Sequence, residues 1–120
     1  MHYMLLIYGD EEAWSSQTEE EGRATMEAYF AYTQALRDAG AFVAGEPLEP
    51  THTAKTVRVR DGEALTTDGP FAETKEQLGG YYLIDVASEA EALEWAARLP
   101  GARHGSVEVR PLMPVPAAAS

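Results

Sequence analysis

The chain contains no cysteine, which removes disulfides, thiolate nucleophiles and thiolate metal ligands from consideration. Lysine is almost as scarce, occurring only at Lys55 and Lys75. No apolar run approaches the ~20 residues needed to span a bilayer. The opening Met1–Tyr8 lacks the basic start, long apolar stretch and small-residue cleavage site of a signal peptide, so a cytoplasmic location is expected. Basic residues are few overall: 9 against 20 acidic ones, for a net charge of −11. A surface of that sign repels phosphate backbones and anionic lipid, so direct nucleic-acid and membrane binding are disfavoured. The three histidines, His2, His52 and His104, show no metal-ligand spacing. There is no dinucleotide or P-loop pattern either, so neither a metal nor a cofactor is indicated.

What is present is ordinary globular material: 120 residues, 45% apolar and 24% charged, enough for one domain and one core. Tyr3 to Tyr8 reads as a strand apolar on both faces, with Tyr3, Leu5 and Ile7 on one side and Met4, Leu6 and Tyr8 on the other. A loop through Ala13–Ser16 leads to Thr18 and Glu21, a capping-box pair that starts a helix. Met26, Tyr29, Phe30, Thr33, Ala35 and Leu36 recur at helical spacing and predict its buried stripe, with Gly40 as its stop.

A second strand is expected over Ala41–Leu48. A hairpin should follow, from Thr56–Arg60 through Asp61-Gly62 to Ala64–Thr67, with its valines inward and its arginines outward. Gly80–Val86 is again apolar on both faces. Ser88 and Glu91 form a second capping box for a helix with Ala92, Trp95, Ala96 and Leu99 inward, and Ser106–Arg110 closes as a strand. A domain over residues 1–113 and a loose tail over 114–120 result.

The order strand, helix, strand, inserted hairpin, strand, helix, strand predicts an α+β ferredoxin-like βαββαβ fold, an antiparallel sheet with helices on one face. Helices on one face cannot cover both apolar faces of the two central strands. At roughly 25 cal/mol per Å² a wet apolar face is costly, so a homodimer meeting through its sheets is expected.

Asp68-Gly69-Pro70-Phe71-Ala72-Glu73-Thr74-Lys75-Glu76, followed by Gln77-Leu78-Gly79-Gly80, closely resembles the signature of the DGPF branch of the YCII-related family. The opening YMLLIYGDE, GEPL, TVRVRDG, ALEWAARLP and GSVEVRP resemble it too, so the likeness covers nearly the whole chain. It implies a dimeric α/β-barrel arrangement, in which two ferredoxin-like sheets face each other. It also implies a regulatory setting beside sigma factors of the extracytoplasmic-function class. Relatives in the wider family resemble small enzymes with a proposed His–Asp pair, a histidine in the first helix and an aspartate after the second. Here the corresponding positions read about Tyr29 and Arg98-Leu99-Pro100-Gly101, so that pair does not carry over.

The candidate catalytic residues are Asp68, His52 and Lys75, and the candidate ligand-binding residues are Tyr8, Phe71, Glu73 and Tyr81. Asp68 is either a turn residue accepting backbone amides or a carboxylate facing a pocket walled by Phe71. Glu73, Lys75 and Glu76 form either a solvated run of weak ion pairs or a substrate-binding cation between carboxylates. His52 is either an exposed loop histidine or an acid–base group near a pocket rim. The tyrosines are either core and interface or hydroxyls turned into a site. Two functions follow. One is a dimeric small-molecule-binding or regulatory module, with a sigma factor as its candidate partner; the other is a small cofactor-free enzyme doing acid–base chemistry on an organic substrate.

Overall fold

The computed structural model describes residues 1–116. Its elements are β1 (His2–Gly9), α1 (Glu11–Ser15), α2 (Glu19–Asp38), β2 (Phe42–Pro47), β3 (Lys55–Arg60), β4 (Glu63–Asp68), β5 (Gln77–Asp85), α3 (Glu89–Arg98) and β6 (Ser106–Pro111). Single 3₁₀ turns occupy Thr51–Thr53 and Pro100–Arg103. Of the expected tail, residues 114–116 carry no regular structure, and 117–120 lie outside the described residues.

Four strands form one antiparallel sheet in the order β2-β5-β1-β6. With two long helices on one face, this is the ferredoxin-like α+β arrangement. Cross-strand pairing places Tyr3 opposite Ile84 and Leu5 opposite Tyr82. Those side chains meet Tyr32 and Leu36 of α2 and Ala92, Ala96 and Leu99 from the α3 segment in one core. Leu5, Leu36, Ile84 and Leu99 are completely buried, each stabilising by about 1.5–3 kcal/mol.

The first capping box is complete and the second is half formed, since the Glu91 carboxylate accepts from the Ala87 amide at 3.3 Å and not from that of Ser88. Thr18 accepts from the Glu21 amide while the Glu21 carboxylate accepts from the Thr18 amide, and Ser88 accepts from the Glu91 amide. The buried row of α2 differs from the expected one. Met26 and Phe30 are 58% and 66% exposed, whereas Tyr32 is buried. Tyr32 takes the core position because it finds partners there: Tyr82 and Trp95 meet it edge-to-face at 5.2 and 5.9 Å. Its hydroxyl also donates to the Trp95 carbonyl at 2.7 Å, so nothing polar is left unpaired.

The stretch expected as a loop before Thr18 holds the short helix α1, capped by Asp10, whose carboxylate accepts from the Glu12 amide at 2.9 Å. That helix carries Trp14 onto the ends of β1 and β5. A Cβ placed on Gly9 or Gly79 would stand 2.3 or 2.5 Å from the Trp14 ring, so glycine is required at both. Gly79 is also the extra residue of a β-bulge, since Ile7 pairs with Gly80 and Tyr8 with Leu78.

Strands β3 and β4 pair only with each other, as a separate two-stranded ladder. Asp61 and Gly62 both take positive φ, 51° and 78°, the requirement of a two-residue type I′ turn. The inward valines do not materialise. Val57 and Val59 are each 61% exposed, because the ladder stands clear of the main sheet and has no inner side within this chain.

Only one face of the main sheet is covered by helices; Met4, Leu6, Tyr8, Tyr81 and Leu83 alternate onto the other and are half-buried. The molecule measures 48 × 47 × 18 Å, with a radius of gyration of 16.6 Å. A closed globule of this length would have about 13.6 Å. The short dimension is one sheet plus one helix layer.

Candidate functional site

Two clefts flank α2. The larger, about 960 Å³, lies between the outward row of α2 and strands β2 and β5. It exists because Met26 and Phe30 do not enter the core, so they wall a groove whose far side is Gly45, Glu46 and Pro47. Gly45 is essential to its floor, since a Cβ there would stand 2.6 Å from the Tyr82 ring. Trp14 borders one end, and Arg37 lies over Phe42 at 4.3 Å from the ring centre near the other.

The floor carries a hydroxyl pair, Thr33 Oγ1 and Tyr82 Oη, 2.7 Å apart. Thr33 Oγ1 also donates to the Tyr29 carbonyl at 2.9 Å. A threonine hydroxyl has one proton. With that proton on Tyr29, Tyr82 must donate to Thr33, and Tyr82 Oη is left as an acceptor. A mostly apolar groove with one directed acceptor suits a ring-sized molecule bearing a donor.

The second cleft, about 590 Å³, lies on the opposite flank of α2, beneath the Pro100–Gly105 turn and the end of β1. Alanines 28, 31 and 35 make room for it on the helix, and Arg98, Arg103 and His104 stand around it. Tyr29 lines both clefts, as do Trp14, Gln17 and Thr25. Its hydroxyl packs so closely on Gly101 that a Cβ there would stand 2.7 Å away. Burial pushes the Tyr29 and Tyr32 hydroxyls up from their usual pKa and holds both protonated. The displaced carboxylates, Glu21 and Asp85, are lowered and fully exposed, outside both clefts. Glu21 is held down by the backbone hydrogen bond at Thr18, and Asp85 by the N-terminal ammonium that donates to it.

The candidate residues named from the sequence fall in three places. Asp68 ends β4, its exposed carboxylate paired with the Lys55 ammonium, rather than with the following backbone amides. Phe71 is 77% exposed and lies under the Arg58 guanidinium, 5.2 Å from the ring centre. Glu73 and Lys75 are exposed in the adjoining loop, and His52 is exposed in the Thr51–Thr53 turn. None of these five lines either cleft. Tyr8 is on the outer sheet face with its hydroxyl 3.4 Å from Glu108 Oε1, and it borders the second cleft. Tyr81 borders the first.

The sequence reading passed over Trp14, Arg37, Glu46, Arg98 and Arg103 as site residues, and ranked His104 below His52. One signal was present: the two positions matched to the family's histidine and aspartate, Tyr29 and the segment ending in Gly101, are in contact. Among the described residues no three His, Asp or Glu side chains are grouped to hold a metal ion.

Sheet order and helix placement define a mixed α+β domain with an antiparallel sheet, consistent with the ferredoxin-like class. The YCII-related domain model matches residues 1–116, and the chain belongs to that family. An uncharacterised protein of Rhizobium meliloti (strain 1021) is 46% identical over 114 residues, covering 93% of this chain and 92% of that protein.

Proposed function

We propose that the protein is a homodimeric small-molecule-binding module whose ligand occupies the larger cleft, with the outer sheet face as the dimer contact. The observation that carries the binding reading is the Tyr82 acceptor set in an aromatic groove of about 960 Å³, within the size of ordinary metabolite sites. The groups an acid–base enzyme would use, Asp68, His52 and Lys75, are exposed and lie outside both clefts, which supports binding over proton transfer. The homodimer is supported by the uncovered face of Met4, Leu6 and Leu83, the 18 Å thickness and the exposed hairpin valines. A two-stranded ladder is marginal alone in water and gains from a second copy against it.

The test is a thermal-shift screen of neutral ring compounds bearing a donor, repeated on Tyr82→Phe. A ligand at a hundred times its Kd stabilises by about 2.7 kcal/mol, a shift of several degrees in this size class. The expected result is hits that weaken at least fivefold in Tyr82→Phe; hits indifferent to Tyr82 would sink the assignment. Sedimentation equilibrium of Leu6→Glu checks the dimer. The parent is expected at twice the chain mass and the variant at the chain mass.

A further inference from the structure

The ligand reading above leaves the second cleft unused, and its charge does not match the molecule. Acidic residues outnumber basic ones by 20 to 9 over the whole chain, yet two arginines and a histidine surround this cavity with one carboxylate, Asp10. That carboxylate is already engaged as the cap of α1, accepting from the Glu12 amide. The ion pairs among the described residues are Met1–Asp85, His2–Asp85, Lys55–Asp68 and Arg110–Glu108. Arg98, Arg103 and His104 belong to none of them. Arg23, Arg37, Arg58, Arg60 and Lys75 likewise belong to none of them; what sets Arg98, Arg103 and His104 apart is that they stand around one cavity.

Arg98 is also pre-positioned. Its guanidinium lies over the Trp95 ring at 4.2 Å, and Trp95 is held in turn by Tyr32. A cation–π contact engages the guanidinium's charge and no N–H donor, and a guanidinium fork can grip a carboxylate or phosphate through two parallel hydrogen bonds. Trp14, Tyr29 and the alanines of α2 add an aromatic and small-residue lining to the cavity. The Tyr29 hydroxyl adds a polar group to the lining. About 590 Å³ is room for one ring and its substituents.

We propose that this second cleft binds a small ring-bearing organic anion, its carboxylate or phosphate monoester held by Arg98 and Arg103 and its ring lodged against Tyr29. The proposal does not rest on what the larger cleft takes.

The experiment is a heteronuclear NMR titration of the full chain with four probes of similar size: benzoate, phenyl phosphate, benzylamine and benzyl alcohol. Saturable shifts of the Gly101, His104 and Gly105 amides are expected with an anionic probe at concentrations up to about 10 mM, the range of a partly exposed charge-assisted contact. Benzylamine and benzyl alcohol should bind at least tenfold more weakly. Tighter benzoate assigns a carboxylate and tighter phenyl phosphate assigns a phosphate monoester. Arg103→Gln, which leaves the Trp95 stack intact, should weaken the anion at least fivefold, and Arg98→Gln should do so with an unchanged amide spectrum elsewhere. Thr33→Val should leave it unaltered, which separates this site from the larger cleft. Benzylamine binding as well as the anions, shifts confined to the larger cleft, or no saturable shift at the Pro100–Gly105 turn would each overturn the proposal.

Discussion

The indole of Trp14 lies directly over Gly79, so close that the smallest side chain added to that glycine would stand 2.5 Å from the ring. The pair joins the short helix before α2 to the bulge in β5, two segments far apart in the chain. It also defines the end of the larger cleft. The tandem glycine is thus a packing device, with Gly79 beneath the indole. Gly80 lies so close to the Glu46 carbonyl that a Cβ there would be 3.1 Å from it.

Gly79→Ala is therefore expected to destabilise by about 1–3 kcal/mol, the usual cost of overpacking, and to shift tryptophan emission as the indole is displaced. Urea unfolding with fluorescence detection measures both. In the Trp14→Ala background the same substitution should cost far less, because the clash it creates is gone.

Alkaline pH should act through Tyr32. Burial places its folded pKa above that of an unfolded tyrosine, which is about 10. The folded chain keeps a proton that the unfolded chain releases, so this stabilisation is complete below about pH 10 and is lost as pH rises through the folded pKa. Tyr29 is raised for the same main reason and adds in the same direction. The urea midpoint should hold level to about pH 9.5 and then fall, and the decline should be shallower in Tyr32→Phe. That variant also forfeits the bond to the Trp95 carbonyl, lowering stability at every pH by about 1 kcal/mol; the difference in slope is the diagnostic reading.

Asp68→Asn should change stability by less than about 1 kcal/mol, since its one ion partner, Lys55, meets it at an exposed site. Chemical denaturation decides this. A large loss would mean that a second chain or a ligand buries the pair.

Local rules made most of the fold legible. Alternation in Tyr3–Tyr8, the Thr18–Glu21 and Ser88–Glu91 caps and the Asp61-Gly62 turn each need only neighbouring residues, and each appears in the structure. Leu36 is buried as the α2 stripe predicts, but Met26 and Phe30 are exposed and Tyr32 is buried instead, because helical periodicity alone cannot choose between neighbouring rows. That choice falls to Tyr82 and Trp95, which lie elsewhere in the chain. The helix carrying Trp14 spans only five residues, too few to leave a periodic signature. The clefts were illegible for a related reason. Tyr29 meets Gly101, and Thr33 meets Tyr82 across 49 residues, contacts that only the sheet order brings about.

Tyr29 lines both cavities together with Trp14, Gln17 and Thr25, and a wall held in common cannot shift without altering the room on either side. Two occupants on opposite flanks of α2 are therefore linked in their binding free energies. If one moves the Tyr29 ring and changes the other's affinity by some factor, the second changes the first's by the same factor. The shared wall then works as a balance arm between two adjoining chambers.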